Sequence, residues 1–226
     1  MNGHSTTPNA KIFAATLAGL FLLAGLPVRA AQSPFSGFWK LVKQEAAAPP
    51  ELIPAAAAAK AKLKARDDAD AEDVRWCVQQ GLPYVMENSG PIDIIVGPAE
   101  FAILEEKVGL PRHIYTAGQP HPDMTTFDNS PVGYSSGRWR GNDELIVDTI
   151  GLSAGVGPTN APRTESAKIS ETFKVVGDML KVSTIWTDPA TFRRPYRYTL
   201  VYQRLPANYT APESYCDPRA NGVVHP

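Results

Sequence analysis

The sequence predicts one mainly β domain, a single antiparallel β-barrel or a sandwich of about eight strands. Three observations predict it. Short runs of β-forming residues follow one another from residue 77 onward, turn-forming residues separate them, and no regular helix of the kind parallel strands need lies between them.

The chain opens with a leader. Lys11 supplies a positive charge, residues 12–25 form an uncharged, apolar run of about 14 residues interrupted only by Thr16, and Pro27 breaks it. A helical bilayer span needs ~20 apolar residues. The shorter run therefore reads as the core of a Sec-type signal peptide, and Val28-Arg29-Ala30 offers small residues for cleavage after Ala30 or Ala31. Leu23-Ala24-Gly25 is followed by Leu26, not by the cysteine of a lipid anchor. Residues 1–30 are expected to be removed, leaving residues 31–226 as one β-rich domain, periplasmic or secreted. The full chain carries 22 basic and 23 acidic side chains; losing Lys11 and Arg29 and no acid leaves a net charge of −3. A mildly acidic surface argues against nucleic acid or an anionic membrane as partner. No second apolar run would hold the mature chain in a membrane. The sequence leaves the oligomeric state open.

The β pattern starts at Gly37-Phe38-Trp39, which opens a first strand. An alanine-rich stretch follows, and residues 55–73 are expected to form a helix on the surface, because alanine favours helix and Leu63 is almost its only large apolar residue. Strands are expected at 92–96, 101–105, 112–116, 137–140, 145–150, 170–176, 179–187 and 197–205. Turns at 97–99, 141–143 and 177–178 offer residues that tolerate positive φ. Within these strands Val182, Thr184 and Trp186 share one face, as do Tyr196, Tyr198 and Tyr202.

Chemistry concentrates between residues 112 and 149. The connection 117–136 is long for a compact domain, and such connections often carry function. In it His121 stands between Pro120 and Pro122, which restrict its backbone, with Asp123 and Asp128 nearby as acid–base companions. Arg138 and Arg140 project to one side of their strand and Trp139 to the other. Asp148 lies in an otherwise apolar strand, where a carboxylate needs a partner such as Arg138. The sequence shows no metal spacing such as HxxxH or HExxH, no P-loop and no serine nucleophile elbow, so no metal or cofactor is expected. Cys77 and Cys216 are the two cysteines of the chain; in an oxidising compartment they read as one disulfide.

The runs Ile114-Tyr115-Thr116-Ala117-Gly118-Gln119-Pro120-His121-Pro122, Gly133-Tyr134-Ser135-Ser136-Gly137-Arg138-Trp139 and Leu145-Ile146-Val147-Asp148-Thr149-Ile150-Gly151 carry a resemblance. They resemble a large family of exported bacterial proteins of unknown function, over roughly residues 77–216. That family's pattern reads Tyr-x-Asp-Gly-Arg-x-His-Pro and Gly-His-Ser-x-Gly-Arg-Trp-Glu-Gly-Asp. Here Ala117, Gln119, Tyr134, Arg140 and Arg163 depart from it, so the resemblance implies His121 and Asp148 retained among altered companions. Separately, Gly37-x-Trp39 is similar to the opening of lipocalin- or calycin-like barrels, which favours a barrel over a sandwich.

Two readings follow. In the first, the barrel binds a small, partly apolar molecule in a polar and aromatic cavity, with Tyr115, Arg138, Trp139 and Arg140 contacting it. In the second, the same cavity is the site of a cofactor-free lyase, isomerase or hydrolase, with His121, Asp148 and Tyr134 as catalytic groups. Binding is the preferred reading. One prediction is independent of both: non-reducing peptide mass spectrometry of exported protein should find Cys77 linked to Cys216. A closed loop of that length is worth ~4–5 kcal/mol on chain entropy alone, and two free thiols would remove that contribution.

Overall fold

The computed structural model describes residues 33–64, 81–105, 110–118, 122–123 and 125–211, together with Met1 and Gly3. The chain divides into two units, Met1–Ala31 and Gln32–Pro226. The expected signal peptide, Cys77, Cys216, Gln119 and His121 lie outside the described residues.

The second unit is a closed β-barrel. Its strands are β1 (Gly37–Ala46), β2 (Pro91–Val96), β3 (Glu100–Glu105), β4 (Arg112–Tyr115), β5 (Tyr134–Arg140), β6 (Glu144–Ile150), β7 (Gly155–Val156), β8 (Pro162–Arg163), β9 (Lys168–Val176), β10 (Met179–Thr187) and β11 (Tyr196–Arg204). The ring runs β1-β11-β10-β9-β6-β5-β4-β3-β2, and β7 with β8 forms a separate two-stranded excursion. The sequence expectation of a barrel or sandwich resolves to the barrel, with nine strands in the ring where about eight were expected. Alternation explains the wall. Ile169, Glu171 and Phe173 on β9 are buried while Lys168, Ser170 and Lys174 are exposed. Hairpins turn at the expected places, and Gly177 takes φ +59 in the two-residue turn between β9 and β10.

An odd ring cannot alternate direction all the way round. One neighbouring pair must be parallel, and it is β4 with β5, joined through only Ile114↔Ser135 and Tyr115↔Ser136. A parallel pair needs a crossover of a dozen or more residues. The long connection after β4 therefore has a topological cause, whatever else it does. At this seam Gly137 leaves room for its neighbours: a Cβ there would stand 2.9 Å from Ile114 Cγ2.

Two plugs close the barrel. At one end Phe35 is fully buried between Phe101 and Trp139, ring centroids 5.6 and 5.5 Å away. Trp39 is also fully buried and donates its indole N–H to the Phe35 carbonyl at 2.7 Å. The Arg204 guanidinium lies 4.0 Å from the Trp39 ring centroid and donates to the Ser36 and Pro34 carbonyls. At the other end a short helix, α2 (Tyr84–Glu87), buries Val85 and Met86, and the Tyr202 hydroxyl donates to the Met86 carbonyl. The alanine-rich helix α1 (Pro54–Lys64) lies on the outside against β8, with Ala56 buried. Its expected continuation to residue 73 lies outside the described residues. Among those residues no helix is long and apolar enough to cross a membrane.

Arg204 thus anchors the N-terminal plug through a ring face and two carbonyls. Its replacement by alanine should cost about 2–3 kcal/mol, read as a lower urea midpoint. Arg197→Ala, on the exposed face of the same strand, should change stability by less than ~0.5 kcal/mol.

Candidate functional site

Of the residues singled out in the sequence, Tyr115, Tyr134, Arg138, Arg140 and Asp148 face outward. On β5 the outward positions are Tyr134, Ser136, Arg138 and Arg140; on β6 they are Glu144, Ile146, Asp148 and Ile150, each at least partly accessible to water. Asp148 pairs with Arg138, Nη1 to Oδ2 at 3.4 Å, and accepts a 2.7 Å bond from the Ser170 hydroxyl. Its side chain keeps 45% of its accessible surface. The expectation of a desolvated acid in an inward polar cluster is therefore corrected: the pair is on the outer wall. Ile146 and Ile150 make the outward phase of β6 read as apolar as the inward phase of Leu145 and Val147. Arg140 pairs with Glu144 at 2.6 Å.

Tyr115 and Tyr134 also point outward and stack on each other, centroids 5.2 Å apart, with Phe127 edge-on to Tyr134 at 6.0 Å. Burial, and then Tyr115, raises the Tyr134 phenol above its ordinary pKa. Trp139 points the other way, into the plug with Phe35 and Phe101. Tyr134 and Arg138 stand four residues apart on one strand, ~13 Å by strand rise. They share a face but not a pocket.

Arg138 and Asp148 do border a shallow groove of about 730 Å³ on the outer wall. Its floor is a row of small hydroxyls, Ser170 and Thr172 on β9, Ser183 on β10 and Thr199 on β11, brought side by side by the strand register. Ile146 and Ile185 give it a short apolar face, and Arg197 and Glu45 close the side opposite Arg138.

Inside the barrel is a set of polar residues that the sequence reading missed. Arg112, Ser135, Thr149, Glu171, Thr184 and Tyr198 come one each from β4, β5, β6, β9, β10 and β11, and all are buried. Arg112 makes a two-pronged bond to the Glu171 carboxylate, through Nη1 at 3.1 Å and through Nη2, and donates to Thr149 at 3.1 Å and Ser135 at 3.4 Å. Ser135 and Thr149 are joined at 2.8 Å. The signal was legible: in Ile169-x-Glu171-x-Phe173 and Arg112-x-Ile114 a charge occupies the apolar phase of a strand. Beside this set, Glu87 of α2 is largely buried next to Tyr198 and Tyr196. Desolvation raises its pKa to about 7, against a smaller lowering by the Tyr198 hydroxyl. Among the described residues no group of three or more His, Cys, Asp or Glu is placed to hold a metal.

No family model and no curated protein matches the sequence. Among solved structures the chain is similar to a REP1-NXSQ fatty acid transporter, at 11% identity and TM-score 0.38, over 76% of this chain and 97% of that one. It is similar to the fluorescent protein UnaG at 9% and 0.37, over 76% and 97%. A secretary abundant heat soluble protein from Ramazzottius varieornatus follows at 12% and 0.30, over 76% and 95%.

Glu87 gives a pH prediction. Its folded pKa, about 7, exceeds the ordinary 4.5. Below pH ~4.5 both states hold the proton, and the charge costs nothing. Between ~4.5 and ~7 the unfolded chain releases it while the fold retains it, so stability falls as pH rises, by ~3 kcal/mol in all. Arg112 and Glu171, which also face this region, form a neutral pair. Glu87→Gln should therefore match the wild type in urea unfolding at pH 4.5 and exceed it progressively up to pH 8. A gap independent of pH would place Glu87 in water.

Proposed function

We propose that this is an exported β-barrel protein that binds a small polar molecule in the outer groove, without catalysing its conversion. One observation carries the reading. A groove of about 730 Å³ gathers two guanidinium groups, two carboxylates and four hydroxyls over a short apolar strip. That volume is typical of small-molecule sites, and convergent polar groups are what fix a ligand's orientation. Ligand hydroxyls would meet Ser170, Thr172, Ser183 and Thr199, while a ligand charge would meet Arg138 or Arg197. Arg197 has no ion-pair partner among the described residues. Compared with the sequence expectation, the ligand is more polar and Trp139 is not part of the site. The apolar run and cleavage-like residues within positions 1–30 support export.

The catalytic alternative has less support. Asp148 is already held by Ser170 and Arg138, and Tyr134 is stacked away from both.

The test is a fragment library followed by ¹⁵N–¹H NMR on protein recovered from the periplasm. Binders should shift the amides of Ser170, Thr172, Ser183 and Thr199, and Arg138→Ala with Arg197→Ala should weaken them at least tenfold, as loss of two charged contacts implies. Binding untouched by the double variant would rule the groove out.

A further inference from the structure

The inward polar residues divide into two parts. Arg112, Glu171, Ser135 and Thr149 satisfy one another, as an ion pair taken out of water must be. The remainder is not closed. Thr184 is 3% exposed and Trp186 1%, yet among the described residues the Thr184 hydroxyl and the Trp186 indole N–H have no hydrogen-bond partner, and neither does Oε1 of Glu87. These three atoms belong to one region. Thr184 and Trp186 are successive inward positions of β10, and the register sets them against Tyr198 and Tyr196 on β11. Glu87 interacts with the same two tyrosines. A buried polar group without a partner is destabilising, and native interiors leave few of them. Three in one region contribute a donor, an acceptor and a hydroxyl that does both.

We propose that the interior beside α2 is a second binding site, which takes a small neutral oxygen-bearing group that both donates and accepts hydrogen bonds. Trp186 donates to it, Glu87 accepts from it, and Thr184 does either. A buried water makes about three such bonds, so the demand matches one oxygen centre. The same chemistry fits the hydroxyl of an alcohol. Arg112 and Glu171 neutralise each other, an anion would face the Glu87 carboxylate, and a cation would offer the Trp186 N–H no acceptor, so a neutral group is what the site accepts. This site is separated from the outer groove by the sheet and stands whether or not the groove binds.

The experiment uses Thr184→Val, which keeps the shape and removes the hydroxyl, with Thr184→Ser as the control that keeps the hydroxyl. If the oxygen centre is present, Thr184→Val orphans part of it. Melting should then drop by several degrees for a domain of this size, and fall below Thr184→Ser. In ¹⁵N-labelled wild type the Trp186 indole N–H should show a cross-peak to a bound molecule. A cross-peak at the water frequency identifies internal water; one to carbon-bound protons, with a matching extra mass in native mass spectrometry, identifies an alcohol. If Thr184→Val melts at or above the wild type, the hydroxyl is unpartnered in the native protein and the proposal is overturned.

Discussion

A ring of nine strands has to contain one parallel pair, and much of this molecule follows from where that pair falls. The eight antiparallel contacts hold from four to nine residue pairs, whereas β4 and β5 share two. The seam is the weakest part of the wall. It also dictates the long connection from β4 to β5, because a parallel neighbour can be reached only by carrying the chain back to the starting end.

The buried Arg112–Glu171 pair makes sense against that weakness. Arg112 belongs to β4 and bonds Ser135 on β5, Thr149 on β6 and Glu171 on β9. A single guanidinium therefore ties together four successive strands across the seam where backbone bonds are scarce. Buried ion pairs often add little net stability, but removing one partner is costly, ~3–5 kcal/mol, because the other charge is left without compensation. What the pair supplies here is register. Arg112 reaches all three partners only when β4 and β5 are aligned as Ile114↔Ser135. Gly137 supports the same alignment by letting Ile114 and Leu145 close over it.

The strands were legible because their residues alternate and their turns are marked by glycine; β10 runs over 179–187 as expected. The plug was partly legible in Gly37-x-Trp39, since a tryptophan after a flexible glycine at the start of a barrel strand has an open end to fill. Its partner Arg204 is 165 positions away, and nothing in the sequence links the two. The seam could not be read, because two residue pairs leave no pattern. Asp148 was misplaced for a specific reason. Both faces of β6 carry branched apolar residues, so the alternation gave no sign of which face was inside. Glu171 stands between Ile169 and Phe173 on an unambiguous strand and was the more reliable indicator of interior polarity.

Polar groups are divided between the two faces of one sheet. Ser170, Thr172, Ser183 and Thr199 look outward while Glu171, Thr184 and Tyr198, their neighbours in the same strands, look inward. Polarity on both faces is expensive for a barrel wall, which gains most of its stability from apolar burial. The inward set sits towards α2, and the apolar plug of Phe35, Phe101, Phe173 and Trp139 occupies the opposite end. The plug end therefore supplies the cohesion and the α2 end carries the hydrogen-bonding groups. A wall arranged this way can alter its polar residues, inside or out, without giving up the aromatic cluster that keeps it closed.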